Sequence, residues 1–210
     1  MRLIGMLDSP YVRRVAISLD CLNVDFTHEA KSVFSNFEEF KSINPVVKAP
    51  TLICDDGEIL MDSSLILQFV ESSLSNGKNL WPEQSNLLQS AFRAVSLALA
   101  ACDKGVQLIY ERNLRPESTQ YRPWLERVNG QLTSALDALE REIQHSPSLF
   151  STINHASIAS SIAWRFMETQ VIEATKQDHY PSLSALSAGM ENSPIFKKYP
   201  PLGPGVQSDN

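Results

Sequence analysis

The first 74 residues alternate between short apolar runs and apolar residues at helical spacing. The run over 2–7 predicts a strand, and apolar positions three and four residues apart then predict a helix over 10–22. Apolar and polar residues alternate over 24–29, which predicts a second strand. A short helix is predicted over 35–43 and ends before Pro45, because the residue that precedes a proline avoids helical geometry.

Two further apolar runs, over 48–54 and 58–61, flank the turn Asp55-Asp56-Gly57 and predict a β-hairpin. A helix follows, and its predicted start is Asp62. The predicted order of elements is therefore βαβαββα. The first βαβ unit implies parallel strands joined by a right-handed crossover, and the hairpin adds antiparallel strands to the same sheet.

The pattern changes beyond this unit. A polar stretch over 77–85, with glycine and proline, predicts a linker. From 86 to 200 the apolar residues follow helical spacing only, which predicts an all-α helical bundle. The Pro- and Gly-rich residues over 201–210 cannot hold a helix and predict a flexible tail. The sequence thus predicts an α/β domain over 1–76 and an all-helical domain over 86–200.

Charge and hydropathy exclude some partners. The net charge of −6 and the lack of any basic run of five residues argue against nucleic-acid binding. The first apolar run is too short for a signal peptide, and no apolar stretch approaches the ~18 residues of a membrane span. We therefore expect a cytoplasmic protein that does not bind a membrane. The basic pairs Arg13-Arg14 and Lys197-Lys198 are expected on solvated helix faces.

The cysteines and histidines indicate neither a disulfide framework nor a metal site. Cys21, Cys54 and Cys102 are far apart and form no C-x-x-C motif. We expect all three to be small buried residues. The four histidines show no ligand spacing, so no metal is predicted.

The turn between the first strand and the first helix carries the first candidate site. Ser9 is the predicted N-cap and Pro10 the first helical residue. A helix start offers unpaired N–H groups and a partial positive charge, and a hydroxyl there can donate a hydrogen bond to an anion. Ser9 is therefore a candidate for stabilising a bound thiolate or oxyanion, with simple helix capping as the alternative.

The bond between Ala49 and Pro50 is the second candidate. Only an X-Pro bond makes a cis peptide inexpensive, at about 0.5–1 kcal/mol against trans. A cis bond would turn the N–H and C=O of Ala49 away from the sheet, where they could pair with an extended peptide. The alternative is an ordinary trans proline at the start of a strand.

Asp62 and Ser63 form the third candidate, at the start of another helix. A carboxylate and a hydroxyl beside free N–H groups suit an α-amino acid, with its ammonium on Asp62 and its carboxylate on Ser63 and the helix N-terminus. The alternative is a plain N-cap.

Three such features in one βαβαββα unit, followed by an all-helical half, resemble the glutathione transferase (GST) superfamily over nearly the whole chain. The chain is most similar to bacterial serine-type members, of the YibF-like branch. The resemblance implies a thioredoxin-like N-terminal domain and the helical C-terminal domain of that fold. It rests on the segments Ser9-Pro10-Tyr11-Val12-Arg13, Asn44-Pro45-Val46-Val47-Lys48-Ala49-Pro50-Thr51-Leu52, Asp62-Ser63-Ser64-Leu65-Ile66 and Asn154-His155-Ala156-Ser157-Ile158-Ala159.

The resemblance implies roles for the residues at the centre of the site. Ser9 would hydrogen-bond the sulfur of glutathione and lower the pKa of its thiol. Ala49, which precedes the cis-proline Pro50, would pair through its backbone with the cysteinyl part of glutathione. Ser9 and Val12 lie where redox relatives carry cysteines, so dithiol exchange is excluded there.

The same resemblance assigns the two ends of glutathione and the second substrate. Lys48 would lie near the glycyl carboxylate, and Asp62 with Ser63 would hold the γ-glutamyl end. A hydrophobic electrophile would bind between the domains, against the long helix of the bundle. Tyr110 and Trp164 are candidate wall residues there, although aromatic residues on helices more often pack in the core.

Four positions depart from the family pattern. Val47 stands where glycine is usual, and it would be strained if the position needs a positive φ. Ala49 stands where valine is usual, and Asp62 is one methylene shorter than the usual acid. Ser157 replaces the usual aspartate of a capping box, which should weaken the reciprocal bond to the expected cap, Asn154. These departures largely keep the folding motifs and bear on glutathione affinity instead.

The function that the resemblance implies is that of a cytoplasmic, homodimeric transferase in detoxification. Glutathione would be the co-substrate, and its thiolate would attack the electrophile. Two alternatives exist on the same fold: a non-enzymatic interaction protein like the stringent-starvation regulators, and a glutathione-dependent peroxidase or reductive dehalogenase. The dimer would join the N-terminal domain of one subunit to the helical domain of the other.

Overall fold

The computed structural model describes residues 1–174 and 179–206, and it divides into two compact units. The first unit consists of Met1–Leu80 and Ser193–Pro204. The second consists of Trp81–Asn192 and the chain from Gly205 onward.

The first unit contains the predicted βαβαββα order, which is confirmed, although its strands are shorter than the apolar runs. The elements are β1 (Arg2–Ile4), α1 (Pro10–Cys21), β2 (Thr27–Glu29), α2 (Phe37–Ile43), β3 (Thr51–Ile53), β4 (Ile59–Met61) and α3 (Ser63–Ser73).

These strands form one four-stranded sheet in the order β2-β1-β3-β4. β1 and β2 are parallel, as a βαβ crossover requires, and β3 is antiparallel to both β1 and β4. The core of the unit consists of fully buried apolar residues from the sheet and from the two longer helices, among them Leu3, Leu52, Val15, Leu19 and Ile66.

The second unit is helical, as predicted. Its helices are α4 (Ser85–Asn113), α5 (Arg122–His145), α6 (His155–Gln170) and α7 (Pro181–Glu191), with short 3₁₀ turns between them. Asn154 caps α6, and the Ser157 hydroxyl accepts from the Asn154 N–H at 3.0 Å, so the capping box is complete without the usual aspartate.

A carboxylate from a neighbouring helix caps α7. Tyr180 stands at the N-cap and supplies no capping side chain. Instead Glu140 on α5, a buried residue, accepts hydrogen bonds from the N–H groups of Ser182 at 2.9 Å and Leu183 at 2.8 Å. A negative charge at a helix N-terminus is favourable, so this contact joins two helices of the bundle.

The predicted boundary of the helical domain at residue 200 differs from the observed division. The short helix α8 (Pro194–Lys198) and the residues after it as far as Pro204 belong to the first unit. The side chains of Lys198 and Tyr199 both donate hydrogen bonds to the carboxylate of Asp20 on α1. The predicted flexible tail over 201–210 lies partly outside the described residues, and its described part, 201–206, contains no helix.

Arg13 explains why this segment packs on α1, and it corrects the prediction of a solvated Arg13-Arg14 pair. Arg13 is 1% exposed. Its Nε donates to the carbonyl oxygen of Tyr199 at 2.7 Å, and its Nη2 donates to that of Phe196 at 3.5 Å. Its guanidinium also lies 5.2 Å from the centre of the Phe196 ring. The predicted exposure of Lys197 and Lys198 is confirmed.

The cysteines differ in their burial. Cys102 is buried as predicted, but Cys21 and Cys54 are only half-buried. Burial and the neighbouring Asp20 carboxylate raise the pKa of the Cys21 thiol to about 11. Cys21 is therefore a protonated thiol at neutral pH.

Replacing Arg13 by methionine should destabilise the fold. The change removes both hydrogen bonds. The carbonyl oxygen of Tyr199 loses its Arg13 donor, whereas that of Phe196 still accepts from the N–H of Tyr199. We expect the free energy of unfolding to fall by about 2–4 kcal/mol. Urea denaturation followed by circular dichroism measures this. The matched control is Arg2→Met, since Arg2 pairs with Glu29 at the surface and should matter little. Equal losses in both variants would contradict the role given to Arg13.

Candidate functional site

The register of the sheet brings three loops to one edge. Ile4, the last residue of β1, pairs with Thr51, the first residue of β3. Thr51 also pairs with Met61, the last residue of β4. The loop after β1, the loop before β3 and the loop after β4 therefore meet at the same edge of the sheet. Those loops carry Ser9, the Ala49-Pro50 bond and Asp62.

Ser9 is the N-cap of α1, as predicted, with Pro10 in the first turn. Its backbone is extended, with φ −70° and ψ 120°, and its Oγ accepts from the N–H of Val12 at 3.5 Å. A hydrogen bond of that length is weak. The hydroxyl is half-buried at the start of a helix, where its proton can be donated to an anion.

The peptide bond between Ala49 and Pro50 is cis, which confirms the prediction. Among the described residues, neither the N–H nor the C=O of Ala49 has a hydrogen-bond partner. Gly5 allows the loop to approach α1: a Cβ at Gly5 would lie 2.6 Å from Cγ2 of Val12 and 3.2 Å from the Cβ of Ala49. Ala49 therefore lies close to the first turn of α1.

A hydrogen-bond network that sequence reasoning missed fixes the loop before β3. The Asn44 amide donates to the hydroxyl of Thr51 at 2.8 Å, and that hydroxyl donates to the carbonyl of Lys48 at 2.7 Å. Asn44 also accepts from the N–H of Val46 at 3.0 Å. The buried Asn44 before Pro45 was a signal for this turn, because asparagine side chains readily bond the backbone two residues on.

Val47 stands where glycine is usual in the family, and its backbone has a positive φ. Its φ is +52°, in the left-handed region that a β-branched residue rarely enters. The loop is thus not reshaped around valine and carries the strain. Lys48, next to it, is exposed, and its ammonium makes no ion pair with a described residue.

Asp62 caps α3 and is also held at a positive φ, of +71°. Its Oδ1 accepts from the N–H groups of Ser64 at 2.9 Å and Leu65 at 3.3 Å. No described residue hydrogen-bonds its other oxygen, Oδ2, which is left to accept from a ligand.

Arg14 supports the first turn of α3, and sequence reasoning missed it because it assigned this residue to a solvated face. Arg14 is 3% exposed. Its Nη1 donates to the hydroxyls of Ser63 at 3.2 Å and Ser64 at 3.0 Å. A buried cation therefore lies beside Ser63, the residue predicted to receive a carboxylate.

The two aromatic candidates on the second unit differ from each other. Trp164 is fully buried and packs edge-on against Tyr180, with ring centres 5.5 Å apart, so it is a core residue. Tyr110 is 40% exposed and is therefore not a core residue. A cavity of about 410 Å³ lies in this unit, and no predicted site residue lines it; its walls are Glu111, Arg115, Tyr121, Pro123, Trp124 and Arg127.

The part of the chain that the structure describes contains neither a membrane-spanning helix nor a metal-binding cluster. No helix within it is both long enough and apolar enough to cross a membrane. Nor do its His, Cys, Asp and Glu side chains form any group of three or more that could hold a metal ion.

Comparisons with known proteins agree with this fold. Residues 3–76 match the family model of the glutathione S-transferase N-terminal domain. The uncharacterized GST-like protein YibF of Escherichia coli K12 is 27% identical over 164 residues, which are 78% of this chain and 80% of YibF. The first unit therefore matches a glutathione S-transferase N-terminal domain, and the likeness to YibF and to the solved structures supports the glutathione S-transferase superfamily for the chain.

Solved structures extend the likeness to the whole chain. A glutathione S-transferase from Methylobacterium radiotolerans, in complex with glutathione sulfonate, is 25% identical with a TM-score of 0.89, covering 100% of this chain and 98% of that one. A family member from Pseudomonas fluorescens with bound glutathione is 24% identical with a TM-score of 0.82, covering 96% and 99%. The second of these shows the shared fold.

Replacing Val47 by glycine should stabilise the protein. A left-handed conformation costs an ordinary residue about 1–2 kcal/mol, and glycine relieves it at a smaller entropic cost, so we expect a gain of about 0.5–1 kcal/mol. Thermal unfolding measures the change. The control is Val46→Gly, because Val46 is exposed and its φ is not positive, so glycine there should not stabilise. A loss of stability in Val47→Gly would show that valine is unstrained.

Proposed function

We propose that this protein binds glutathione at the loop edge of the sheet and activates its thiolate for attack on a hydrophobic electrophile. The observation that carries the proposal is the meeting of Ser9, Ala49 and Asp62 at one edge, each with an unused hydrogen-bonding group. A tripeptide thiol with a charged group at each end needs complementary groups of these kinds.

Ser9 stabilises the sulfur. Its hydroxyl donates to the thiolate, and the N-terminus of α1 adds a partial positive charge. A hydrogen bond to the charged form lowers the pKa of the bound thiol and increases the fraction that is nucleophilic. Ser9 is thus the catalytic residue, and it needs no general base because the thiol loses its proton to solvent.

The backbone of Ala49 pairs with the cysteinyl residue. Its N–H and C=O have no partner among the described residues, so they are available to an extended peptide lying antiparallel to the loop. Pro50 fixes the start of β3 and so the position of this pair. The exposed Lys48 beside it takes the glycyl carboxylate.

The first turn of α3 holds the γ-glutamyl end. Oδ2 of Asp62 accepts from the ammonium, while Ser63 and the helix N-terminus donate to the carboxylate. The solved relative from Methylobacterium radiotolerans contains glutathione sulfonate, and the one from Pseudomonas fluorescens contains glutathione. Those complexes support the choice of thiol for this chain.

Replacing Ser9 by alanine should lower turnover far more than binding. We expect kcat with an activated chloroarene to fall about tenfold to a hundredfold, while glutathione affinity by calorimetry changes less than about threefold. The reason is that the lost bond is strong only to the thiolate. Ser35→Ala is the control, since Ser35 is exposed and lies outside the three loops.

Two outcomes would contradict parts of this proposal. Unchanged turnover in Ser9→Ala would remove Ser9 from the chemistry. Failure of the folded wild-type protein to bind glutathione at millimolar concentration would favour the non-enzymatic interaction protein. Peroxide assayed beside the chloroarene distinguishes conjugation from peroxidase chemistry.

We also propose that the protein is a homodimer built on exposed apolar residues of α3 and α4. Leu65 and Phe69 lie one helical turn apart on α3 and are 61% and 36% exposed, and Met61 before them is 38% exposed. Phe92 on α4 is 54% exposed. Such residues are common at subunit interfaces, so the face of α3 would meet α4 of a second copy.

Replacing Leu65 by arginine should break this dimer. Light scattering after gel filtration should give the wild type twice the 23.4 kDa of one chain, and the variant the mass of one chain. A charge cannot be buried in the interface without a partner. Glu38→Arg, at an exposed position of α2, should leave the dimer intact. A monomeric wild type would refute the proposed assembly.

A further inference from the structure

We propose that Arg14 is a positioning residue for substrate recognition: it donates to the oxygen of the Ser63 hydroxyl and so leaves the hydroxyl proton to be donated to the γ-glutamyl carboxylate. The inference rests on the proposed function and adds a residue to it. Arg14 lies on α1 and contacts the site through its hydrogen bond to Ser63, at the start of α3.

The geometry of the contact sets the direction of the hydrogen bonds. Nη1 of Arg14 lies 3.2 Å from Oγ of Ser63 and 3.0 Å from Oγ of Ser64. A guanidinium has five N–H donors and no acceptor, and it keeps its charge at every physiological pH. Both serine oxygens therefore accept from Arg14. The hydroxyl proton of Ser63 must point to some other acceptor.

The surrounding groups favour an anionic acceptor. The N–H of Ser63 is not bonded to any described residue, whereas those of Ser64 and Leu65 are taken by Asp62. Ser63 thus offers two donors, its N–H and its O–H. The guanidinium of Arg14, which is 3% exposed, lies 3.2 Å from the Ser63 hydroxyl, and solvent screens its charge little there. A carboxylate bound at Ser63 is therefore stabilised by the two hydrogen-bond donors and by the positive charge of Arg14.

This arrangement also selects the ligand by its two charges. Oδ2 of Asp62 attracts an ammonium, and Ser63 with Arg14 behind it attracts a carboxylate. The two residues are adjacent in sequence, so the two charges of the ligand must be close together, as on one α-carbon. Only 4% of Ser63 is exposed, so a ligand must lie directly on the first turn of α3 to reach it.

The test compares glutathione with 4-aminobutyryl-cysteinylglycine, an analogue that lacks only the γ-glutamyl α-carboxylate. Calorimetry on the wild-type protein should show glutathione bound about tenfold to a hundredfold more tightly than the analogue, as for a charge-assisted hydrogen bond. In Arg14→Met this ratio should fall to about threefold or less, through weaker binding of glutathione and unchanged binding of the analogue. Arg14→Lys, which keeps a donor and a charge, should restore part of the ratio.

Matched variants separate positioning from packing. Ser64→Ala removes the second hydroxyl that Arg14 bonds but keeps the N–H that Asp62 binds, and it should leave the ratio unchanged. Ser63→Ala should lower the ratio to about threefold or less, since only the N–H of residue 63 then remains as a donor. Adding Arg14→Met to it should cause a smaller loss than Arg14→Met causes in the wild-type protein. Because Arg14 is buried, circular dichroism must show that each variant is folded; if Arg14→Met is not, Arg14→Lys and Ser63→Ala carry the test.

Each contrary outcome has a distinct meaning. Equal weakening of both ligands in Arg14→Met, or full discrimination in folded Ser63→Ala, would overturn the inference and assign Arg14 to packing. Equal binding of both ligands by the wild type would overturn it while glutathione binding stands. If the wild type binds neither ligand, the proposed function itself fails.

Discussion

The pairing of β3 between β1 and β4 is the constraint on which the candidate site depends. Because β3 runs antiparallel to both neighbours, its first residue, Thr51, lies beside the end of β1 and the end of β4. Three loops that are far apart in sequence therefore share one edge. A shift of β3 by one residue would turn its side chains to the other face and separate the loops. Asn44, which bonds the Thr51 hydroxyl from the preceding loop, helps to hold that register.

Two adjacent arginines on α1 hold two different segments of the first unit in place. Arg13 holds the carbonyl groups of Phe196 and Tyr199, so the segment after residue 192 packs on the first unit. Arg14 holds the hydroxyls that begin α3. Successive residues on a helix point about 100° apart, which is why one helix can support both. Each guanidinium is buried, so replacing it would leave polar partners without a donor and cost more than a surface charge would.

Two of the four described non-glycine residues with positive φ lie at the loops of the site, and the other two, Asn23 and Asn76, are of a type that adopts this conformation readily. Val47 and Asp62 both have positive φ, at +52° and +71°, and both lie at the sheet edge that carries the three loops. Asp62 compensates for its strain by accepting two hydrogen bonds from α3, whereas Val47 has no side-chain hydrogen bond to offer. Strain of this kind persists where the surrounding structure holds the backbone, and it is common at binding sites.

The sequence by itself determined the order of the elements and the local chemistry at their ends. Ser9 and Asp62 were predictable as caps because capping depends on neighbours within three residues, and the cis-proline candidate was predictable from the family pattern around Pro50. Only the tertiary structure decided the fates of Arg13 and Arg14, whose partners lie 183–186 and 49–50 residues away. The same limit applies to Glu140, which caps a helix 42 residues on. Periodicity reports which face of a helix is apolar, but it carries no information about which distant polar group will meet a charged side chain, so a buried guanidinium and a solvated one look alike in sequence.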